Sequence, residues 1–236
     1  MRVALTLSYD GTHYLGSQIQ TETSNTIFGA LTQVLLQLGI NSKVIASGRT
    51  DKGVHATGQV CHFDIPDFWE DIVKLQTTLN KMLPHNIYAK SLKKVNDDFH
   101  ARYSAKKRSY RYIISTKQRN PFEVNFVTFA QSVNLSELRK NIKLFQGEHD
   151  FKNFMKTGSD SKSTTRVIYK AYAYKHKEYI ILNFEANGFL RSQIRLMVGA
   201  LLNCSTEKIQ EKLLDKKNHK VKPAPSNGLY LSKIKY

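Results

Sequence analysis

Residues 48–55, GRTDKGVH, carry the residue types and the spacing from which we expect chemistry. Two glycines, Gly48 and Gly53, enclose a short polar run, and glycine is used where the backbone needs a positive φ or where a ligand approaches closely. Arg49 and Asp51 lie two residues apart. In an extended segment both side chains project to the same side, so they can form an ion pair that fixes the carboxylate.

A carboxylate fixed at Asp51 has two plausible chemical uses. The neighbouring guanidinium favours the ionised form, so we expect Asp51 to be anionic at neutral pH. An ionised Asp can attack an electrophilic sugar carbon or remove a proton beside it, as carboxylates do in glycosyl-cleaving enzymes. An Asp in a glycine-rich loop can also be a turn residue that bonds its own backbone. These eight residues alone leave both interpretations open.

Hydrophobic periodicity predicts the elements that hold this loop. A short strand over residues 44–46 leads into the loop, and alternating Cys61, Phe63 and Ile65 form the strand that leaves it. Asp51 is therefore expected between two strands. The other elements predicted in the first half are strands over residues 3–7 and 87–95, and helices over residues 27–38, capped by Ser24 or Asn25, and 72–83.

A polar break at residues 96–98 separates this half from a second run of the same alternation. We predict domains at residues 1–98, with the Asp51 loop, and 99–236, with the Tyr and Arg motifs described below. The fold class is α+β, with two similar ferredoxin-like or RRM-like halves whose largely antiparallel sheets join around a central basic active-site cleft. The elements predicted in the second half are a strand over 110–114, a helix over 135–145 capped by Asn134, a hairpin of 166–174 and 178–186, helices over 189–204 and 206–217, and a strand over 229–234.

The charge balance points to a polyanionic partner. The 236 residues include 36 Lys and Arg against 19 Asp and Glu, a formal net charge of +17, which favours nucleic acid through counterion release. Residues 100–112, HARYSAKKRSYRY, interleave tyrosines with cations, a mixture that RNA-binding proteins use for base stacking and phosphate contact. A strand with half-buried tyrosines and solvated cations would have the same sequence pattern.

Other classes of function are disfavoured. Cys61 and Cys204 lack a CxxC or Cys/His spacing, so we expect two buried thiols and neither a zinc site nor a disulfide framework. No 18-residue apolar run and no signal-peptide core is present. We therefore expect a soluble cytoplasmic protein with no metal and no membrane partner.

Five motifs in order along the chain resemble one family. They are residues 9–16 (YDGTHYLG), 48–55 (GRTDKGVH), 98–105 (DFHARYSA), 189–199 (FLRSQIRLMVG) and 224–231 (APSNGLYL). Together they look like tRNA pseudouridine synthase A, the TruA family, from end to end. The resemblance implies isomerisation of uridine to pseudouridine without a cofactor, at positions 38 to 40 in the anticodon arm of tRNA. It also implies a homodimer that grips one tRNA with both subunits.

The resemblance assigns roles to four residues. Asp51 matches the catalytic aspartate, which either attacks C1′ of the target ribose or removes the 2′ proton. Arg49 matches the arginine that pairs with it. Tyr110 matches the tyrosine that stacks beneath the flipped base, and Arg195 matches the cation that completes the surroundings of the aspartate. Without the resemblance, Arg195 would be interpreted as a solvated residue on a helix face.

Three positions depart from the family pattern. Ser17 stands where a tryptophan is usual, Lys52 replaces the small residue usual after the aspartate, and Gln193 replaces the usual Met. The missing ring would change either the packing of the loop or a contact with RNA. These departures leave open a TruA-like paralogue with an altered RNA target.

Two other hypotheses of function compete with that of a synthase. A non-catalytic RNA-binding module would explain the charge, but binding alone does not require Arg49, Asp51, Tyr110 and Arg195 together. A nucleoside hydrolase or glycosidase would normally use two carboxylates. Asp10 is the nearest second acid, and its sequence context is that of a turn residue.

Overall fold

A computed structural model describes residues 1–158 and 162–236. Ten strands and five α-helices lie in these described ranges. The strands are β1 (Arg2–Tyr9), β2 (Ile45–Ala46), β3 (His55–Asp64), β4 (Ile87–Lys94), β5 (Lys107–Ser115), β6 (Thr128–Phe129), β7 (Gly147–Asp150), β8 (Thr165–His176), β9 (Tyr179–Ala186) and β10 (Leu229–Lys235). The helices are α1 (Ile27–Gln37), α2 (Ile72–Met82), α3 (Leu135–Asn141), α4 (Gln193–Asn203) and α5 (Thr206–Leu213).

The chain divides into two compact units, and the first comprises Met1–Lys106 with Tyr230–Tyr236. Its strands lie in the order β4, β1, β3, β10, and β1 is antiparallel to both β3 and β4. β10 runs parallel to β3, with Tyr230 beside His55 and Leu231 beside Ala56. The short β2 also pairs with β3. The last strand of the chain therefore lies next to the strand that leaves the Asp51 loop.

Apolar side chains at strand and helix spacing form the core of this unit. Alternate residues of β1 are fully buried, and so is one face of each helix; these are Val3, Leu5, Leu7, Leu31, Leu35, Leu75 and Leu79. Burying each such side chain contributes about 1.5–3 kcal/mol relative to leaving it exposed. The cap of α1 is Thr26, whose hydroxyl accepts the Gly29 N–H at 3.0 Å. The predicted caps were wrong, because Thr26 is the residue with extended backbone that reaches the third helical N–H.

The second unit is Lys107–Leu229, with strand order β5, β9, β8, β7 and with β6 parallel to β5. The predicted hairpin is confirmed as β8 and β9, which turn at Lys177 with φ 53°. The predicted cap of α3 is also confirmed, since Asn134 accepts from the N–H groups of Ser136 and Glu137. The helix over 189–204 begins later than predicted, at Gln193, because Ser192 takes φ 58°.

The predicted mixed α and β class with largely antiparallel strands is confirmed. The ferredoxin-like likeness of two halves stays a prediction. The units divide between Lys106 and Lys107, and Tyr230–Tyr236 return to the first unit, whereas the sequence placed residues 99–236 in one domain. Cys61 is buried as expected, but Cys204, at the end of α4, is only half-buried. Within residues 1–158 and 162–236, no helix has the length and apolarity needed to span a bilayer.

Candidate active site

The Asp51 loop connects two paired strands, β2 and β3, as the sequence predicted. Gln59 of β3, which is completely buried, holds the start of the loop. Its Oε1 accepts from the Ser47 hydroxyl at 2.7 Å, and its Nε2 donates to the Gly48 carbonyl at 2.9 Å. The buried amide thus fixes the backbone three residues before Asp51.

The residue before Asp51 is locked by two other segments. The hydroxyl of Thr50 lies 2.8 Å from the hydroxyl of Tyr9, at the end of β1. The Thr50 N–H donates to Oγ of Ser17 at 2.9 Å, and the Ser17 N–H donates to the Thr50 carbonyl at 3.1 Å. Gly16 permits this approach, because an added Cβ would lie 3.0 Å from the Thr50 oxygen and φ is 118°. Burial raises the pKa of Tyr9 to about 12, so its hydroxyl stays neutral.

A tight turn follows Asp51. The Val54 N–H donates to the Asp51 carbonyl at 3.1 Å, and Gly53 takes φ 74°, which an L side chain rarely adopts. Gly11 packs against this turn so closely that an added Cβ would lie 2.1 Å from the Val54 oxygen. The Gly11 N–H also donates to Nδ1 of the buried His55 at 3.1 Å. Asp51 is therefore held from both sides along the chain.

One expectation about this loop needs correction. Gly48 does not take a positive φ, and a Cβ added there meets no described atom within 4 Å, so its backbone does not require glycine. Arg49 and Asp51 flank the buried Thr50, as an extended segment predicts. The ion pair between Arg49 and Asp51 stays a prediction. The side chain of Arg49 is exposed, where hydration offsets most of the gain from an ion pair.

The structure also shows where two of the unusual residues lie. Ser17 is only 1% exposed, so in this protein the position packs the loop. Lys52 is exposed. Ser17 thus acts on the backbone next to Asp51.

Tyr110 lies on β5 of the second unit, opposite Phe184 of β9. Its side chain is buried, and the ring of Phe189 meets it edge to face, with centroids 5.3 Å apart and planes at 84°. Aromatic pairs in this arrangement are favourable and fix ring orientation. From the sequence, Phe189 was identified only as the first residue of the motif over residues 189–199.

Arg195 lies in the first turn of α4 and is half-buried. Its Nε donates to the carbonyl of Ala224 at 2.7 Å, and the Ala224 N–H donates to the carbonyl of Arg195 at 2.8 Å. The chain segment over residues 222–224 crosses α4 at Gly199, where an added Cβ would lie 2.1 Å from the Lys222 oxygen. The reading of Arg195 as a solvated arginine is therefore wrong.

Gln193 begins α4 and is completely buried. Its Oε1 accepts the Leu190 N–H at 2.8 Å. This bond satisfies a backbone donor just before the helix, so Gln193 shapes the entry into α4.

The four predicted site residues divide between the units: Arg49 and Asp51 belong to the first, and Tyr110 and Arg195 to the second. The sequence reasoning missed the roles of Tyr9 and Thr50. Tyr9 continues the buried face of β1, and a buried tyrosine hydroxyl generally needs a partner, which is the signal that could have found it.

Asp10 serves a local turn. Its Oδ1 accepts from both the N–H of Thr12, at 2.9 Å, and the hydroxyl of Thr12, at 2.5 Å. Such bonds are typical of an Asx turn. The interpretation of Asp10 as a turn residue is therefore supported, although the same Oδ1 also lies 3.1 Å from Nδ1 of His55.

Comparison with known proteins decides the family. The family model described as tRNA pseudouridine synthase matches residues 6–104 and 142–236. This chain belongs to the tRNA pseudouridine synthase family. The Asp51 loop and α4 lie within the matched ranges of the synthase family, whereas Tyr110 lies between them.

Curated relatives match along the whole chain. A protein of Campylobacter jejuni (strain RM1221) named tRNA pseudouridine synthase A is 41% identical over 241 residues, covering 100% of both chains. A protein of the same name from Wolinella succinogenes is 40% identical and covers 98% of this chain and 92% of its own. One from Exiguobacterium sp. is 38% identical, covering 100% and 98%. The resemblance found in the sequence motifs is thereby confirmed.

Proposed function

We propose that this protein is an isomerase that converts uridine to pseudouridine at positions 38 to 40 of the anticodon stem-loop of tRNA, with Asp51 as catalytic nucleophile or base. Membership of the family supports the reaction. The assignment to Asp51 rests on one observation, the immobilised backbone around it. Tyr9, Ser17 and Gln59 fix the chain before Asp51, and the turn closed by Val54 fixes it after.

The reaction needs a group that acts on the ribose and is then regenerated. In one route the Asp51 carboxylate attacks C1′, and the bond to N1 breaks with its electron pair on uracil. Uracil then turns, C5 attacks C1′, and the carboxylate leaves. In the other route Asp51 removes the 2′ proton, and a C1′–C2′ double bond forms as N1 leaves with its electron pair. After uracil has turned, C5 bonds to C1′ and Asp51 returns the proton to C2′. In both routes C5 loses its proton and N1 gains one, so no co-reactant is consumed.

The supporting residues have complementary roles. Tyr110 stacks beneath the flipped base and assists removal of the C5 proton. Arg195, whose guanidinium is oriented by the Ala224 carbonyl, stabilises the negative charge of the carboxylate. Arg49 is exposed in this structure, and we propose that it pairs with Asp51 or with a phosphate when RNA binds.

Binding must supply the energy to extrude a base from the anticodon stem, which costs a few kcal/mol. The formal charge of +17 provides sequence-independent affinity for phosphates. We include in the proposal a homodimer that binds one tRNA, a cytoplasmic location, and a reaction without metal or cofactor.

The test is incubation of unmodified tRNA transcripts with wild type, Asp51→Ala and, as a matched loop control, Lys52→Ala, followed by position-resolved mapping of pseudouridine. The expected result is product at positions 38 to 40 with wild type and Lys52→Ala only. Product elsewhere would indicate a paralogue with another RNA target. Tight binding without product would indicate a non-catalytic module, and release of uracil would indicate a hydrolase.

A further inference from the structure

A stack of rings stands at the surface of the first unit, in the basic aromatic segment singled out from the sequence. The ring of Tyr103 lies on the ring of His100, with centroids 4.3 Å apart and planes at 27°. Tyr103 is 77% exposed. The guanidinium carbon of Arg102 lies 5.7 Å from the centroid of the Tyr103 ring. An exposed aromatic thus carries a cation over its ring.

The ring beneath Tyr103 is held in place by backbone donors. Nδ1 of His100 accepts the N–H groups of both Arg102 and Tyr103, each at 3.2 Å. The His100 N–H donates to Oγ of Ser104 at 3.1 Å, and the Ser104 N–H donates to the His100 carbonyl at 2.9 Å. This closed turn orients His100 under the tyrosine.

Hydrogen bonds anchor this turn to other segments of the first unit. Ala101 is completely buried, and both of its backbone groups bond to side chains from other segments. Its N–H donates to Nδ1 of His62 at 3.1 Å, and its carbonyl accepts from the Tyr236 hydroxyl at 2.9 Å. Arg2 also donates to the carbonyl oxygens of Asp97 and Phe99. The exposed ring therefore stands on a rigid base.

We propose that Tyr103, stacked on His100 and with Arg102 over its ring, is a stacking platform for one unpaired base of the RNA, separate from the uridine that reacts. An immobilised aromatic face loses little entropy when a base stacks on it, and a neighbouring arginine adds a phosphate contact or a cation–π interaction. RNA is the partner favoured by the charge of the chain. That this RNA is tRNA rests on the proposed function.

The test compares the affinity of unmodified tRNA transcript for wild type, Tyr103→Ala, Tyr103→Phe and Tyr88→Ala. Tyr88, on β4, is 55% exposed and serves as the control. Loss of one stacked base should weaken binding by Tyr103→Ala about 5- to 100-fold, while Tyr103→Phe and Tyr88→Ala stay within about twofold of wild type. With saturating tRNA, kcat of Tyr103→Ala should stay within about twofold as well, so the loss lies in KM.

Salt dependence separates stacking from charge. Tyr103→Ala should keep the wild-type slope of log affinity against log salt, because stacking releases no counterions. Arg102→Gln should reduce that slope by about one if it contacts a phosphate.

The platform is overturned if Tyr103→Ala binds tRNA as wild type does while wild type still makes pseudouridine; the proposed function would then survive. It is also overturned if Tyr103→Ala weakens self-association in sedimentation and leaves RNA affinity intact, which would mark a contact between copies. Tyr103-dependent binding with no product from wild type would support the platform and reject the synthase. Because Tyr103 is exposed, an unchanged melting temperature should accompany every variant.

Discussion

Ser17 and Thr50 hold each other through two hydrogen bonds across 33 residues of sequence. The N–H of each takes part: Thr50 donates to Oγ of Ser17 at 2.9 Å, and Ser17 donates to the carbonyl of Thr50 at 3.1 Å. Both residues are buried, and the next residue is Asp51. The Ser17 side chain is thus bonded to the backbone that positions the proposed catalytic carboxylate.

Replacing Ser17 by Ala should affect turnover more than binding. The buried N–H of Thr50 would lose its acceptor, at a cost of about 1–3 kcal/mol in the free energy of unfolding. Loosening of the loop should lower kcat about tenfold or more, with little change in KM. Steady-state kinetics and urea unfolding check this, with the exposed neighbour variant Gln18→Ala as control. A Ser17→Ala enzyme with wild-type kcat would contradict the positioning role.

Replacing Arg195 by Lys should impair turnover although the charge is kept. Lysine cannot reproduce the bond from Nε to the Ala224 carbonyl or the planar guanidinium. We expect kcat to fall about ten- to a hundredfold while the tRNA dissociation constant changes by less than about twofold. Arg191→Lys, at an exposed position in the same segment, is the matched control and should behave as wild type. A kcat of Arg195→Lys equal to that of Arg191→Lys would contradict a role of Arg195 in the site.

The two functions proposed for Tyr110 can be separated by two substitutions. Tyr110→Phe keeps the ring that packs against Phe189, so tRNA binding should stay intact. If the hydroxyl helps to remove the C5 proton, turnover should fall about a hundredfold or more. Tyr110→Leu removes the ring and should lose affinity as well. Single-turnover rates and binding assays check both, and equal activity in all three proteins would refute the assignment.

The buried hydroxyl of Tyr9 should make the protein sensitive to alkali. Burial raises its pKa from 10 to about 12 in the folded state, so its contribution to stability is complete below pH 10 and is lost as the pH rises towards 12. Two pKa units correspond to roughly 3 kcal/mol. Tyr9→Phe should therefore show a shallower loss of unfolding free energy between these pH values. If the slope of unfolding free energy against pH were unchanged in Tyr9→Phe, the burial of the Tyr9 hydroxyl would be contradicted.

The hydrophobic periodicity predicted the strands around the Asp51 loop but not the hydrogen bonds that hold the loop in place. The strands around the Asp51 loop follow from alternation, and α3 follows from its cap at Asn134. β3 begins six residues earlier than Cys61, because polar residues inside it are buried by specific bonds that alternation cannot show. His55 accepts the Gly11 N–H, and Gln59 bonds Gly48.

Contacts between distant segments were beyond local reasoning for the same reason. Whether Arg195 is solvated depends on a chain segment 29 residues later, which folds over α4 and presents the Ala224 carbonyl. The spacing of Arg49 and Asp51 predicted that the two side chains project to the same side, and their ion pair stays a prediction. The exposure of Arg49 depends on tertiary packing, which the spacing cannot show.

The most direct measurement is release of tritium from tRNA labelled at C5 of its uridines, followed for wild type, Asp51→Asn and Asp51→Glu together with the tRNA dissociation constant of each. Loss of the C5 proton reports formation of the new bond. Removing one charge among so many should leave affinity within about twofold. We expect release by wild type and essentially none by Asp51→Asn at equal tRNA occupancy. Release by Asp51→Asn at the wild-type rate would show that Asp51 is not the catalytic group.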